Sequence, residues 1–210
     1  MVKSKLQKRE EVRKSFAQFL PEGSVDYVVS LFAKYPVRFK IVKPRSTKLG
    51  DFRVLPEENK FQITVNGNLN RYAFLVTTIH EFAHLTNYLE HQHRVLPHGE
   101  EWKNHYRKLW MPIFDLKILP KDLENALIQS MVSTKASSCS DHQLSRALHR
   151  YDPENNEERH LELLPMHSSF KLQGKTFLKG ELRRKRYLCE ELSTKRKFLV
   201  NALAKVTPLT

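Results

Sequence analysis

Hydrophobic positions along this chain change period several times, and each change predicts a new element. Val12, Phe16, Phe19 and Leu20 recur at helical spacing and stop at Pro21, which predicts a first amphipathic helix. Ser24 stands where a cap belongs for a second helix with Val25, Val28, Val29 and Phe32 on its buried side. The period then falls to two. Val37, Phe39 and Ile41 alternate with Arg38 and Lys40, and Phe61, Ile63 and Val65 alternate with Gln62 and Thr64. With Asp51–Leu55 between them, these segments predict a short three-stranded sheet. The strand over 60–66 leads through Gly67 and Asn70 into a long helix, and its place in the order suits backbone pairing with an extended chain.

On that helix, Phe74, Leu75, Ile79, Phe82, Leu85 and Leu89 cover one broad side, a core face. Ala73, Val76, Thr77, Ala83 and Asn87 share the other side with His80. A solvent-facing surface would carry Lys and Glu there; small groups instead allow something to approach closely. Pro97-His98-Gly99 breaks the chain, and Glu100-Glu101-Trp102 opens a further helix with the stripe Trp102, Tyr106, Leu109 and Trp110. Lys121–Val132 reads as helix along Leu123, Ala126, Leu127 and Met131. Ser133–Ser140 is polar, and Ser140 or Asp141 can cap a short helix that runs through Arg150. From Phe170 onward, short strands at 170–172, 175–178, 184–189 and 197–200 are punctuated by Gly174, Gly180 and Ser193-Thr194. The expected organisation is α+β: a domain over 1–132, a linker with a short helix over 133–168, and a basic β-hairpin module over 169–210.

A chain of 210 residues with 40% hydrophobic content can bury a substantial core and carry a small second domain. Basic residues near Met1 are followed by no apolar run, so neither a signal peptide nor a spanning helix is expected. Cys139 and Cys189 stand far apart without a CxxC partner, which suits a reducing, cytoplasmic setting. The formal net charge is +13, and it is segregated. Residues 171–210 hold eleven Lys or Arg against three Glu, whereas 151–170 hold five acids against Arg159. The runs Arg183-Arg184-Lys185-Arg186 and Lys195-Arg196-Lys197 suit phosphate contacts, with alternate members of each strand facing one way. A sequence-independent nucleic-acid partner is therefore expected.

The strongest chemical signal is His80-Glu81-Phe82-Ala83-His84. One turn apart on a helix, His80 and His84 project from the same face and can hold one tetrahedral metal. Glu81 sits about 100° around the helix, close enough to take a proton from metal-bound water without competing as a ligand. A catalytic zinc usually has three protein ligands and an open position. Downstream stand Glu90, His91, His93, His98, Glu100, Glu101 and His105. Glu90, His91 and His93 follow the helix too closely, with no Gly for a tight reversal, while His98 is carried toward the metal by the start of the next helix. His98 is the favoured third ligand. Tyr106, His93 and His105 stand open as groups to stabilise an oxyanion.

Arg45-Ser46-Thr47-Lys48-Leu49-Gly50-Asp51, Ile63-Thr64-Val65-Asn66, Leu69-Asn70, His80-Glu81-Phe82-Ala83-His84 and His98-Gly99-Glu100-Glu101-Trp102 occur in this order. Over roughly the first 115 residues this resembles the SprT-like metalloprotease family. The resemblance implies a zincin-like fold, one Zn2+ bound by His80, His84 and His98, and Glu81 as catalytic base. Eukaryotic members cleave proteins crosslinked to DNA, which implies a protein substrate associated with nucleic acid. Members often end in a zinc ribbon, but this tail lacks the two cysteine pairs and is expected to keep the hairpins without a second zinc. The expected activity is that of a zinc metallopeptidase. Two alternatives are a nucleic-acid- or transcription-machinery-binding factor with a structural zinc, and an amidohydrolase of small molecules. An intact Glu81 counts against the first, and the second needs a closed pocket.

Overall fold

A single helix, α3 (Arg71–His91), is buried along most of its length, and the first part of the protein is assembled around it. The computed structural model describes residues 5–45, 47–58, 60–132, 141–153 and 158–209. These form a mixed α+β protein that divides into two units, Met1–Asp152 and Pro153–Thr210, each with its own core. Among the described residues no helix is long and apolar enough to cross a membrane.

Asn70 starts α3 by accepting the Ala73 amide at 2.9 Å. Its side-chain amide donates to the Leu148 carbonyl at 2.9 Å and to Asp152 at 2.6 Å, so the cap also ties the helix to the last residues of this unit. Both faces are covered. Phe74, Leu75, Ile79, Phe82 and Leu85 are fully buried, as expected, and Ala73, Val76, Thr77, Ala83 and Asn87 are buried too. Leu89, expected on the core face, is 45% exposed, because the last turns of α3 run out of the core.

Helices α1 (Lys5–Ala17) and α2 (Val25–Lys34) close over one side through an aromatic cluster. Phe16 meets Phe32 at 5.0 Å between ring centres, and Phe32 meets Phe82 at 5.3 Å. Ser24 precedes α2, yet its hydroxyl donates to the Pro21 carbonyl at 2.7 Å and caps no amide. Its backbone is already helical, at φ −86° and ψ −15°, which turns the side chain away from the following amides.

Strands β1 (Val37–Val42), β2 (Gly50–Leu55) and β3 (Lys60–Asn66) form a sheet of order β1-β3-β2. β3 pairs parallel with β1 and antiparallel with β2. The expectation that the strand over 60–66 offers a free edge is therefore corrected. Both edges of β3 are taken, and Ile63 and Val65 are fully buried, so the most buried of the three strands lies in the middle. Among the described residues β2 pairs with β3 alone.

Helix α4 (Glu100–Asp115) packs along α3 with Trp102, Tyr106, Leu109, Trp110 and Ile113 buried. Helix α5 (Lys121–Val132) follows, and α6 (His142–His149) packs on it. Asp141 caps α6 by accepting the amides of Gln143 and Leu144 at 2.8 and 3.1 Å. The linker expected over 133–168 is thereby divided. Residues 133–140 lie outside the described residues, α6 belongs to the first unit, and Arg159–Leu164 belongs to the second.

The second unit holds a seven-stranded sheet: β4 (Arg159–His160), β5 (Ser169–Leu172), β6 (Lys175–Leu178), β7 (Leu182–Arg183), β8 (Arg186–Glu191), β9 (Lys197–Asn201) and β10 (Lys205–Pro208). The expected hairpins are present. Between β5 and β6 a two-residue turn places Gln173 at φ 51° and Gly174 at φ 78°, the left-handed geometry that matches strand twist. β4 and β10 were not foreseen: β4 spans two residues and β10 ends in a proline, so neither shows an alternating stripe. Leu161 and Leu164 fill the core beside Phe170, Phe177, Cys189 and Val206.

Phe82 is the ring that joins α3 to α2, and its loss leaves a cavity as well as removing buried apolar area. Phe82→Ala should cost about 3–5 kcal/mol of unfolding free energy. Leu89→Ala, at an exposed position on the same helix, should cost less than about 1 kcal/mol. Denaturant titration of both variants checks this, and equal losses would contradict the assigned faces.

Candidate metal centre

Helical spacing alone brings His80 and His84 together, and the break before α4 brings in His98. The Nε2 atoms lie 3.1 Å apart for His80 and His84, 3.2 Å for His80 and His98, and 3.0 Å for His84 and His98. Hydrogen bonding cannot satisfy such a triangle. Each ring nitrogen carries either one proton or one lone pair, so at least two of the three are alike and set lone pair against lone pair or proton against proton. An ion about 2.0–2.1 Å from all three nitrogens removes the conflict, because tetrahedral donors at that range stand about 3.3 Å apart. The three histidines expected from sequence as ligands are thus brought to one point, with the geometry a metal ion requires.

The surroundings favour this use. Burial, together with repulsion from the other two rings, holds His80 well below its ordinary value. Burial and His98 take His84 down to about 3, and burial lowers His98. At neutral pH all three therefore present lone pairs. Trp102 packs against every ring, with centres 4.8 Å from His80, 5.3 Å from His84 and 4.7 Å from His98. Tyr106 stacks on Trp102 at 5.0 Å and 14°. His98 is held at φ 61°, uncommon for any residue but glycine and only moderately enriched for histidine. The chain accepts that conformation where it points an imidazole at the other two.

Glu81 is buried beside the triad, where β2 reaches it. The Phe52 amide donates to its carboxylate. A methyl group at Gly50 would meet Glu81 Oε1 at 2.5 Å and Thr77 Cγ2 at 2.6 Å, so this approach requires a residue without a side chain. Burial, helped by repulsion from Asp51, pushes Glu81 up to about 8, against the Phe52 amide and the charges of Arg45 and Lys48. Although burial works the other way, hydrogen bonds from Lys48 and Arg53 hold Asp51 below its ordinary value. Arg45 reaches Asn66 at 2.9 Å and Thr64 at 3.0 Å, and Asn66 donates to the carbonyls of Arg45 and Lys48 at 3.1 and 3.0 Å. These bonds fasten the segment before β2 to β3 and so set the height of Gly50 and Phe52 above Glu81.

Sequence reasoning quoted Arg45, Gly50, Asp51 and Asn66 without assigning them roles. Their proximity to Glu81 depends on strand pairing, which no spacing rule reveals. Of the residues left open for an oxyanion, Tyr106 lies near the triad, its ring 6.2 Å from that of His80. His93 packs on Tyr88 and His105 faces Glu90, so neither joins this centre. The basic runs lie in the second unit. Arg183, Arg184, Lys185, Arg186, Lys195, Arg196 and Lys197 are all exposed. Expected along strands, they lie largely at turns instead. Arg184 and Lys185 form the turn between β7 and β8, and Lys195 and Arg196 precede β9, so the two runs flank opposite ends of β8. Lys179 is buried, donating to the carbonyls of Leu164 and Glu162 with its ammonium 4.1 Å from the Tyr187 ring centre. No family model, no curated protein and no solved structure matches the chain.

A carboxyl whose folded value lies near 8 favours the fold when protonated. That contribution is complete below the unfolded value of about 4.5 and is lost as pH rises through about 8. In protein freed of metal by a chelator, Glu81→Gln should therefore match the parent near pH 5 and exceed its stability by a few kcal/mol near pH 9. Denaturant titration at both pH values checks this; a gap that does not grow with pH would contradict it.

Proposed function

We propose that the chain is a zinc-dependent metallopeptidase whose first unit is zincin-like. The observation that carries this is the meeting of three imidazole nitrogens, from one buried and two partly buried histidines, with a buried carboxylate that is not itself one of the three. His80, His84 and His98 would hold the zinc, and nitrogen donors without thiolates suit a site that keeps an open position. Bound there, zinc lowers the pKa of water to about 7 and polarises a carbonyl oxygen. Glu81 takes the proton from the attacking water and returns it to the leaving amine. A cation held there would act on Glu81 in the opposite sense to burial and would draw the carboxylate back toward the range a base needs at neutral pH.

β2 is the strand suited to align substrate. It pairs with β3 alone among the described residues and passes beside Glu81 at Gly50 and Phe52. An extended segment of a protein substrate added at this edge would be held by backbone hydrogen bonds, which do not discriminate sequence. A role as a purely structural zinc factor leaves unexplained the cost of burying Glu81.

Glu81→Gln should retain zinc and lose at least about a thousandfold in hydrolysis of an unfolded protein, because it removes a base and no ligand. His98→Ala should lose zinc affinity, and Gly50→Ala should keep zinc while slowing hydrolysis by displacing Glu81. Zinc content and turnover are measured together. Undiminished turnover in Glu81→Gln would end the peptidase reading.

The second unit is proposed to bind nucleic acid through its two basic turns, bringing the peptidase to proteins associated with it. Spaced by the length of β8, about 20 Å, the turns would touch phosphates some distance apart. Binding should be independent of sequence and should fall at least tenfold between 50 and about 200 mM salt. Replacing Arg184, Arg186, Lys195 and Lys197 with Ser should abolish it without changing zinc content. Filter binding of duplex and single-stranded DNA decides the matter, and unaltered affinity in the variant would remove nucleic acid as a partner of this unit.

A further inference from the structure

We infer that the last turn of α3 and the second turn of α4 form a second site for a divalent transition-metal ion of the zinc class, with Glu90, His91 and His105 as ligands. One ligand atom from each of the three lies within 4.8 Å of the others. Glu90 places one carboxylate oxygen 3.3 Å from His105 Nε2 and the other 3.6 Å from His91 Nε2. The first separation is already that of two donors on a tetrahedral ion, about 3.3 Å, and the second is within a few tenths of it. The two imidazole rings, with centres 5.9 Å apart, would also have to close on the ion, and the freedom for this lies with Glu90 and His91, whose side chains are 60% and 30% exposed against 13% for His105. Two imidazoles and a carboxylate suit zinc and its neighbours in the first transition row, not magnesium or calcium.

This site is separate from the first. His84 and His91 are seven residues apart on α3, two turns, so the centres would lie about 10 Å apart. Two-metal centres that share a reacting atom need about 3.5–4 Å. Glu90 and His105 also line a groove of about 620 Å3 with Tyr27, Lys34, Tyr35 and Leu89, which leaves room for solvent at a fourth position. An ion here would join the two helices on either side of the segment 92–99, which begins with Gln92 at φ 55° and ends with His98 at φ 61° and Gly99. It would thus brace the loop that delivers His98.

The inference does not depend on the peptidase reading, and one experiment separates the two. Full-length protein stripped of metal is dialysed against zinc, and bound zinc is counted by elemental analysis. The parent should take up two ions per chain. His91→Ala/His105→Ala should take up one, and His80→Ala/His84→Ala should also take up one. Glu90→Gln, a milder change at an exposed position, should weaken uptake of one ion at least tenfold while leaving the circular dichroism spectrum unchanged. A parent that takes up a single ion, lost in His80→Ala/His84→Ala, would overturn the second site, as would a folded His91→Ala/His105→Ala variant that still takes up two. If that variant does not fold, unchanged uptake by Glu90→Gln overturns it instead.

Discussion

Three imidazole nitrogens within 3.2 Å of one another form an arrangement that only a shared cation resolves well. Much of the first unit can be read as what is needed to hold that conflict in place. α3 is buried on both sides, His80 lies inside, and His84 is partly covered. Trp102 presses on all three rings, which gives the third ligand a fixed floor. The backbone at His98 accepts a left-handed conformation to aim its ring. Of these features only the backbone at His98 is unfavourable on its own terms, and it is the one that aims the third ring at the other two.

The legible part of the molecule was the part governed by local period. A helical stripe announces α3 and α4, alternation announces β1 and β3, and glycines mark the hairpin between β5 and β6. The histidine pair was legible because one helical turn converts sequence spacing into distance. His98 needed one further inference, that a broken chain followed by an amphipathic helix would fold back. The structure brings the three together as that reasoning expected.

What escaped the sequence depends on pairing between distant segments. That β3 is central and β2 lies at the edge follows from a parallel match of β1 with β3, and alternation carries no information about partners. The polar contacts of Arg45, Asn66 and Asp51 around Glu81 are invisible for the same reason. Likewise, a count of charges in the second unit treats Lys179 like its neighbours, although it is enclosed by carbonyls and an aromatic ring. The basic runs read as strand faces because they lie between hydrophobic stripes, yet the chain needed those same residues to turn.

The bond from the Phe52 amide to Glu81 links the sheet to α3. A carboxylate at the core of α3 has one of its few stabilising donors on a strand at the rim of a sheet. That strand carries both the Phe52 donor, which lowers the proton affinity of Glu81, and Asp51, which raises it, so its position governs the balance. Strand position and proton occupancy are therefore a single mechanical variable. A displacement too small to alter the fold is read out as the charge state of one buried group.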